Sequence, residues 1–162
     1  MNHVPYSAIT VIGEDAFDFL QAQLAADLNA LPADGLSAWC NPKGRVICLL
    51  RTRRIEQGFE LALPTELEEA VAKRLAMFRF RSKVDFETGA VEAGRFSVDG
   101  DYQAWRLANL RAGIPEILAA QSEAFTPHML NLDLLGAVSV DKGCYPGQEI
   151  VARTHFRGKT KR

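Results

Sequence analysis

Cysteine and histidine are scarce in this sequence and neither positive nor negative residues predominate, and each of these features removes a class of function. The three cysteines, Cys40, Cys48 and Cys144, are an odd number without close pairing, and neither a C-x-x-C nor an H-x-x-x-H spacing occurs. That pattern predicts a reducing compartment and no protein-built zinc site. Nineteen basic residues against twenty acidic ones give a net charge of −1. Such a balance leaves no overall positive field, so a general nucleic-acid binder is not expected. No apolar run approaches the roughly 18 residues needed to span a bilayer. No basic-then-apolar segment precedes Met1-Asn2-His3-Val4, so a cytoplasmic location without a membrane partner is expected. Internal repeats and low-complexity segments are absent as well.

What the chain does hold is the length of one domain, 162 residues, with 48% hydrophobic and 24% charged residues, enough for a real core. Residues 7–12 are β-branched and end at Gly13, which predicts a strand. Over residues 15–28, Phe17, Leu20, Leu24 and Leu28 recur at spacings of three and four, as in an amphipathic helix. Gln21 and Gln23 fall on its margins, where solvent-facing polar residues are expected. Turn residues at 32–35, 41–44 and 56–58 separate three apolar segments, at 36–40, 45–55 and 59–63. These predict an antiparallel meander of hairpin-connected strands. Arg51 and Arg53 share one face of the middle strand, either as a solubilising surface or as an anion site.

A helix follows over residues 65–78, with Thr65 as its expected cap and Leu67, Val71, Leu75 and Phe78 as its buried stripe. The run Arg79-Phe80-Arg81-Ser82-Lys83 alternates basic and aromatic residues, but three charges alone bind phosphates weakly. Residues 87–103 read as a glycine- and acid-rich connection with a short strand at 95–98, and residues 104–111 as a helix ended by Gly113 and Pro115. His128 has no acidic neighbour in sequence to tune it and reads as a polar loop residue. Early strands, intervening helices and a meander make an α+β domain, with residues 1–86 and 104–162 as its two parts.

Polar, glycine and cysteine chemistry concentrates at residues 140–153, VDKGCYPGQEIVAR. Pro146 suits the first position of a helix, which places Cys144 two residues ahead of its N-terminus. The helix dipole and Lys142 would then favour the thiolate. Gly143 and Gly147 let backbone approach a ligand, and Glu149 offers a carboxylate to two N–H donors of a planar heterocycle. The same residues also fit a purely structural role, with Cys144 a small buried hydrophobe, the glycines in turns, and Gln148 and Glu149 completing a cap. From residue 150 onward there are five basic residues, Arg153, Arg157, Lys159, Lys161 and Arg162, and no acid.

Lys142-Gly143-Cys144-Tyr145-Pro146-Gly147-Gln148-Glu149 resembles the K-G-C-[FY]-x-G-Q-E signature of the YgfZ family, folate-binding proteins related to the glycine cleavage T-protein. Phe19-Leu20-Gln21-Ala22-Gln23-Leu24 is similar to the family's FLQGQLT, and Cys40-Asn41-Pro42-Lys43-Gly44-Arg45 to its C-D-x-K-G-[RK]. The segments at 131–136 and 155–158 extend the likeness. The chain departs at Ala22, where the family usually has Gly, and at Asn41, where it usually has Asp. It also departs by a short middle section and by lacking the C-terminal β-barrel that follows the basic run in usual members.

The resemblance implies a compact or truncated T-protein-like fold that binds tetrahydrofolate or a derivative. It further implies service to Fe–S proteins or their assembly factors, with effects on tRNA modification. In that reading Cys144 is a redox or transfer thiol tuned by Lys142, and Gln148 and Glu149 orient the pterin. Gly143, Tyr145 and Gly147 line the ligand, and Arg153 with Asn41, Lys43 and Arg45 completes the binding set. One of Gln21 and Gln23 would touch the ligand. Three alternatives stay open: a folate-dependent aminomethyltransferase, which needs a carboxylate near the reactive folate nitrogen, a scaffold that has lost its site, and a small RNA-binding module using the basic tail. Strand edges left by a missing section would favour a homodimer.

Overall fold

A computed structural model describes residues 4–159. Five antiparallel strands form its single sheet, β1 (Tyr6–Ile12), β2 (Gly35–Cys40), β3 (Val46–Ile55), β4 (Gly58–Pro64) and β5 (Asp85–Ala90), in the order β2-β3-β4-β1-β5. Four helices accompany them, α1 (Ala16–Gln23), α2 (Thr65–Met77), α3 (Tyr102–Arg111) and α4 (Gln148–Arg157). The expected meander is β2-β3-β4, paired Gly35↔Thr52 at one end and Ile55↔Gly58 at the other. No helix among the described residues is long and apolar enough to cross a membrane.

Strand alternation divides the core. Ile9, Val11, Cys48, Leu50, Phe59, Leu61 and Leu63 project to the face covered by α1 and α2, where Leu67, Val71 and Leu75 form the buried stripe of α2. Ala62 points the other way, toward Phe96, Tyr102 and Trp105. A third cluster joins Cys40, Val46 and Leu49 to Leu132, Val138, Tyr145 and Val151, and supports the residues 142–149 from beneath.

Several elements differ from the sequence expectation. Helix α1 stops at Gln23, because Leu24 turns extended and pairs with Trp39 while the Ala25 amide donates to the Ala38 carbonyl. The outer edge of β2 is thereby closed by the chain itself, with the Ala38 amide donating to Ala137. The strand-edge argument for a homodimer therefore does not apply at β2. Residues 85–90, read mainly as connection, form β5 through pairing with β1. The expected strand at 95–98 is instead a 3-10 turn over Ala93–Phe96. Pro64, not Thr65, caps α2; the Thr65 hydroxyl accepts from the Ser7 hydroxyl at 2.9 Å.

Arg51 and Arg53 do not form an open solvent face. Residues 92–116 cover them: Arg51 lies 4.6 Å over the Trp105 ring and donates to Asn109, and Arg53 pairs with Glu60 and Glu92.

Candidate functional site

The site is built where two distant turns interlock. Gly44 ends the 41–44 turn with φ +71°, and Gly147 precedes α4 with φ +80°, both left-handed conformations that favour glycine. A Cβ on Gly147 would meet the Asn41 carbonyl oxygen at 2.5 Å and the Gly44 Cα at 2.8 Å; one on Gly44 would meet the Ile150 side chain at 2.9 Å. The two motifs that carry the family resemblance are thus held backbone to backbone.

Because Gly147 is the cap, α4 begins at Gln148 and not at Pro146, and Cys144 lies three residues ahead of the cap. Its thiol is exposed, while Cys40 and Cys48 are buried. Burial pushes the Cys40 thiol up to about 12 and raises Cys48 too, so these two are inert protonated thiols.

Lys142 takes a different position from that of an acidifying neighbour for Cys144. Its Nζ donates to the carbonyls of Gln21, Leu24 and Ala26 at 2.6–2.8 Å. It therefore caps the end of α1, where backbone acceptors and the dipole favour a cation. Burial pushes this ammonium down to about 8, with the nearby Asp27 carboxylate opposing. Gln21 completes the arrangement: its amide donates to Asp27 and its oxygen accepts from the Leu28 amide, so it is a structural joint and not a solvent-facing residue.

Tyr145 is buried and donates from its hydroxyl to the Ser139 carbonyl at 2.7 Å, with the Lys142 Nζ 5.4 Å from its ring centroid. Gln148 donates to the Lys142 and Gly143 carbonyls, closing the loop on itself. Nothing lies within 4 Å of the position a Gly143 Cβ would take, so that backbone faces open space. Glu149 is exposed and bridges to Arg153 at 2.8 Å, one turn along α4.

In the 41–45 turn, the Asn41 side-chain oxygen accepts from the Lys43 and Arg45 amides, and its NH2 donates to Glu123 at 2.9 Å. Arg45 donates to the Ala124 carbonyl, and Arg74 pairs with Glu123. Lys43, Arg45 and Arg74 thereby line a shallow cationic depression beside Glu123. The hydrogen bond from Asn41 holds the Glu123 carboxyl below its usual range; burial opposes it, and the hydrogen bond and charge of Arg74 add to the lowering. On the other side of the loop, Ser139, Val140 and Asp141 line a groove shared with Asp27, Asp133 and His155.

No protein-family model matches the chain. It is 34% identical to an uncharacterised protein of Haemophilus influenzae, over 97% of this chain and 69% of that protein. It is 30% identical to the tRNA-modifying protein YgfZ of Serratia proteamaculans, over 97% of this chain and 67% of that protein. The chain belongs to the YgfZ family.

A further YgfZ, from Escherichia coli, is 28% identical over 97% of this chain and 68% of its own. The YgfZ alignments run over 220 positions, more than this chain possesses, so these relatives carry extra residues inside the matched stretch. Among solved structures, glycine cleavage system aminomethyltransferase T from Bartonella henselae aligns with a TM-score of 0.46 and 18% identity, covering 68% of this chain and 30% of that one.

For a YgfZ-family site, the structure brings together most of the residues expected from sequence. Asn41 and Gly44 meet Gly147 directly, Lys43 and Arg45 stand on the same turn, and Lys142, Tyr145 and Gln148 build the loop. Arg153 pairs with Glu149 on α4. Lys161 and Arg162 of the basic tail lie outside the described residues. Sequence reasoning missed Glu123, Asp27, Asp133, His128 and His155, which reach the region from separate segments with no local spacing signal. His128 in particular is buried beside His155 and Asp133, not a polar loop residue.

Proposed function

We propose that this chain binds a reduced folate at the 142–149 loop and acts, as a YgfZ-type protein, in Fe–S protein maintenance that supports tRNA modification. The observation that carries the reading is the interlock of Gly44 with Gly147, which keeps a cationic depression together with a loop whose Gly143 backbone faces open space. A folate combines a planar ring with N–H donors and an anionic glutamyl tail. The exposed Glu149 carboxylate on the loop side suits the ring, and Lys43 with Arg45 and Arg74 suits the tail. In this reading Gly143 gives the ring close access to backbone, Glu149 and Gln148 orient it, and Cys144 serves as the exposed redox or transfer thiol toward Fe–S partners.

A folate-dependent aminomethyltransferase is the weaker alternative. Asn41 carries no carboxylate, and the one beside it, Glu123, is stabilised in its ionised form by Asn41 and Arg74, which opposes its use as a proton shuttle.

Calorimetric titration of tetrahydrofolate under anaerobic, reducing conditions tests the reading. Wild type is expected to bind one equivalent, and Gly143→Ala, in which the new methyl stands in the ligand's approach, to bind about tenfold more weakly, the order of one lost close contact. Absence of binding by wild type would overturn it, as would an undiminished affinity in both Gly143→Ala and Lys43→Glu.

A further inference from the structure

The residues His128, Asp133 and His155 bring one ligand atom each to within 4.8 Å of one another. They come from three elements. Pro127 opens the 3-10 turn Pro127–Leu130 and sets His128 inside it, 2% exposed. Asn131, left-handed at φ +54°, accepts from the Leu134 and Leu135 amides and reverses the chain, which brings Asp133 back beside His128. His155 lies one turn beyond the buried Val151 on α4, so the face that packs inward also delivers the second imidazole.

The separations decide what such a trio is suited to. His128 Nε2 is 3.5 Å from His155 Nδ1 and 3.8 Å from Asp133 Oδ2. Both are long for a direct hydrogen bond. Donors around a tetrahedral zinc at 2.0–2.1 Å stand roughly 3.3 Å apart, so the two separations from His128 are already near that spacing, and rotation of the exposed His155 side chain would close the third, which lies within 4.8 Å. We propose that His128, Asp133 and His155 form a binding site for a divalent transition metal, with zinc as its simplest occupant.

Two imidazoles and one carboxylate suit borderline divalent ions and leave a coordination position open. That position faces the groove, since Asp133 and His155 line it while His128 is buried behind them. The groove also supplies an entry path for the ion. The bound ion would tie α4 to the 127–133 segment, and through α4 would steady the loop that begins at Lys142. Val151 is the single buried residue of α4, so the metal adds a clamp where apolar packing is thin. The proposal does not depend on the folate reading.

The test is titration of zinc into chelator-stripped, reduced full-length protein, followed by calorimetry and by thermal unfolding. One equivalent is expected to bind wild type and Cys144→Ser alike and to raise the Tm of both. In His155→Ala, whose exposed side chain is not needed for folding, affinity should fall on the order of 100-fold, and in Asp133→Asn likewise. Cobalt in place of zinc should give ligand-field bands without a thiolate charge-transfer band. No uptake by wild type, uptake undiminished in His155→Ala, or loss of uptake in Cys144→Ser would each overturn the assignment.

Discussion

Replacing Gly147 by alanine tests whether the interlock of the two turns is what holds the site. Two costs add. At φ +80° an alanine sits in the left-handed region, at about 1–2 kcal/mol. Its Cβ would also stand 2.5 Å from the Asn41 oxygen and 2.8–2.9 Å from Gly44 backbone, atoms that cannot swing aside as a side-chain tip could. Forcing such a contact costs about 1–3 kcal/mol, so the total is about 2–5 kcal/mol. That is a large share of a typical domain's stability. The internal control lies four residues earlier: Gly143→Ala meets nothing within 4 Å, and Gly143 is not left-handed. Its stability should stay within about 0.5 kcal/mol of wild type. Urea unfolding of the two variants, compared at constant m-value, reads the difference. Equal midpoints for Gly147→Ala and Gly143→Ala would refute the reasoning, because both would then be simple surface-loop glycines.

Alkali should expose the two buried thiols. Desolvation holds Cys40 and Cys48 protonated in the folded chain, whereas the unfolded chain releases these protons near 9.0, so the native state binds more protons above that pH. Their contribution is constant below 9 and declines as pH rises above it, by up to about 1.4 kcal/mol per pH unit for each thiol. Unfolding in reductant from pH 8 to 10.5 should show this decline, and Cys48→Ala should show a shallower one; an unchanged slope would contradict it. Arg95, 8% exposed, joins Asp34 to Glu60 and lies over the Phe96 ring. Arg95→Met should cost about 2–3 kcal/mol, below the usual 3–5 for a broken buried pair because Arg53 still faces Glu60. Chemical denaturation of Arg95→Met and of the Arg95→Met/Glu60→Gln double variant should show partial recovery in the second.

Local chemistry made much of this fold legible. The meander follows from its turn residues, the Glu56-Gln57 connection above all, and α2 from a stripe whose three buried members fall at i, i+4 and i+8. Where reading failed, a distant partner had intervened. Nothing in residues 15–28 announces that the helix stops at Gln23; the carbonyls it leaves open are taken by Lys142, more than a hundred residues later. Strand β5 has a mostly exposed, glycine-containing sequence, DFETGA, and owes its conformation to the edge offered by β1.

The same principle divides the candidate site. Its motif was legible because eight consecutive residues carry it, yet the work each residue does depends on what meets it. Lys142 would acidify a thiol if it had only sequence neighbours; the end of α1 supplies three carbonyls and makes it a cap. Gly147 would open a helix if nothing approached; the Asn41 turn comes within contact and makes it a joint. The histidines illustrate the limit. His128 and Asp133 are five residues apart and His155 a further 22, so no metal spacing exists to be read. They converge only because α4, started late by Gly147, carries His155 back over the turn that Asn131 reverses. A shift of α4 by one residue would rotate His155 by about 100° off that face, so the interlock at Gly147 also sets the register on which the three-residue cluster depends. Zinc affinity measured in Gly147→Ala should therefore fall together with its stability, although no ligand has been touched.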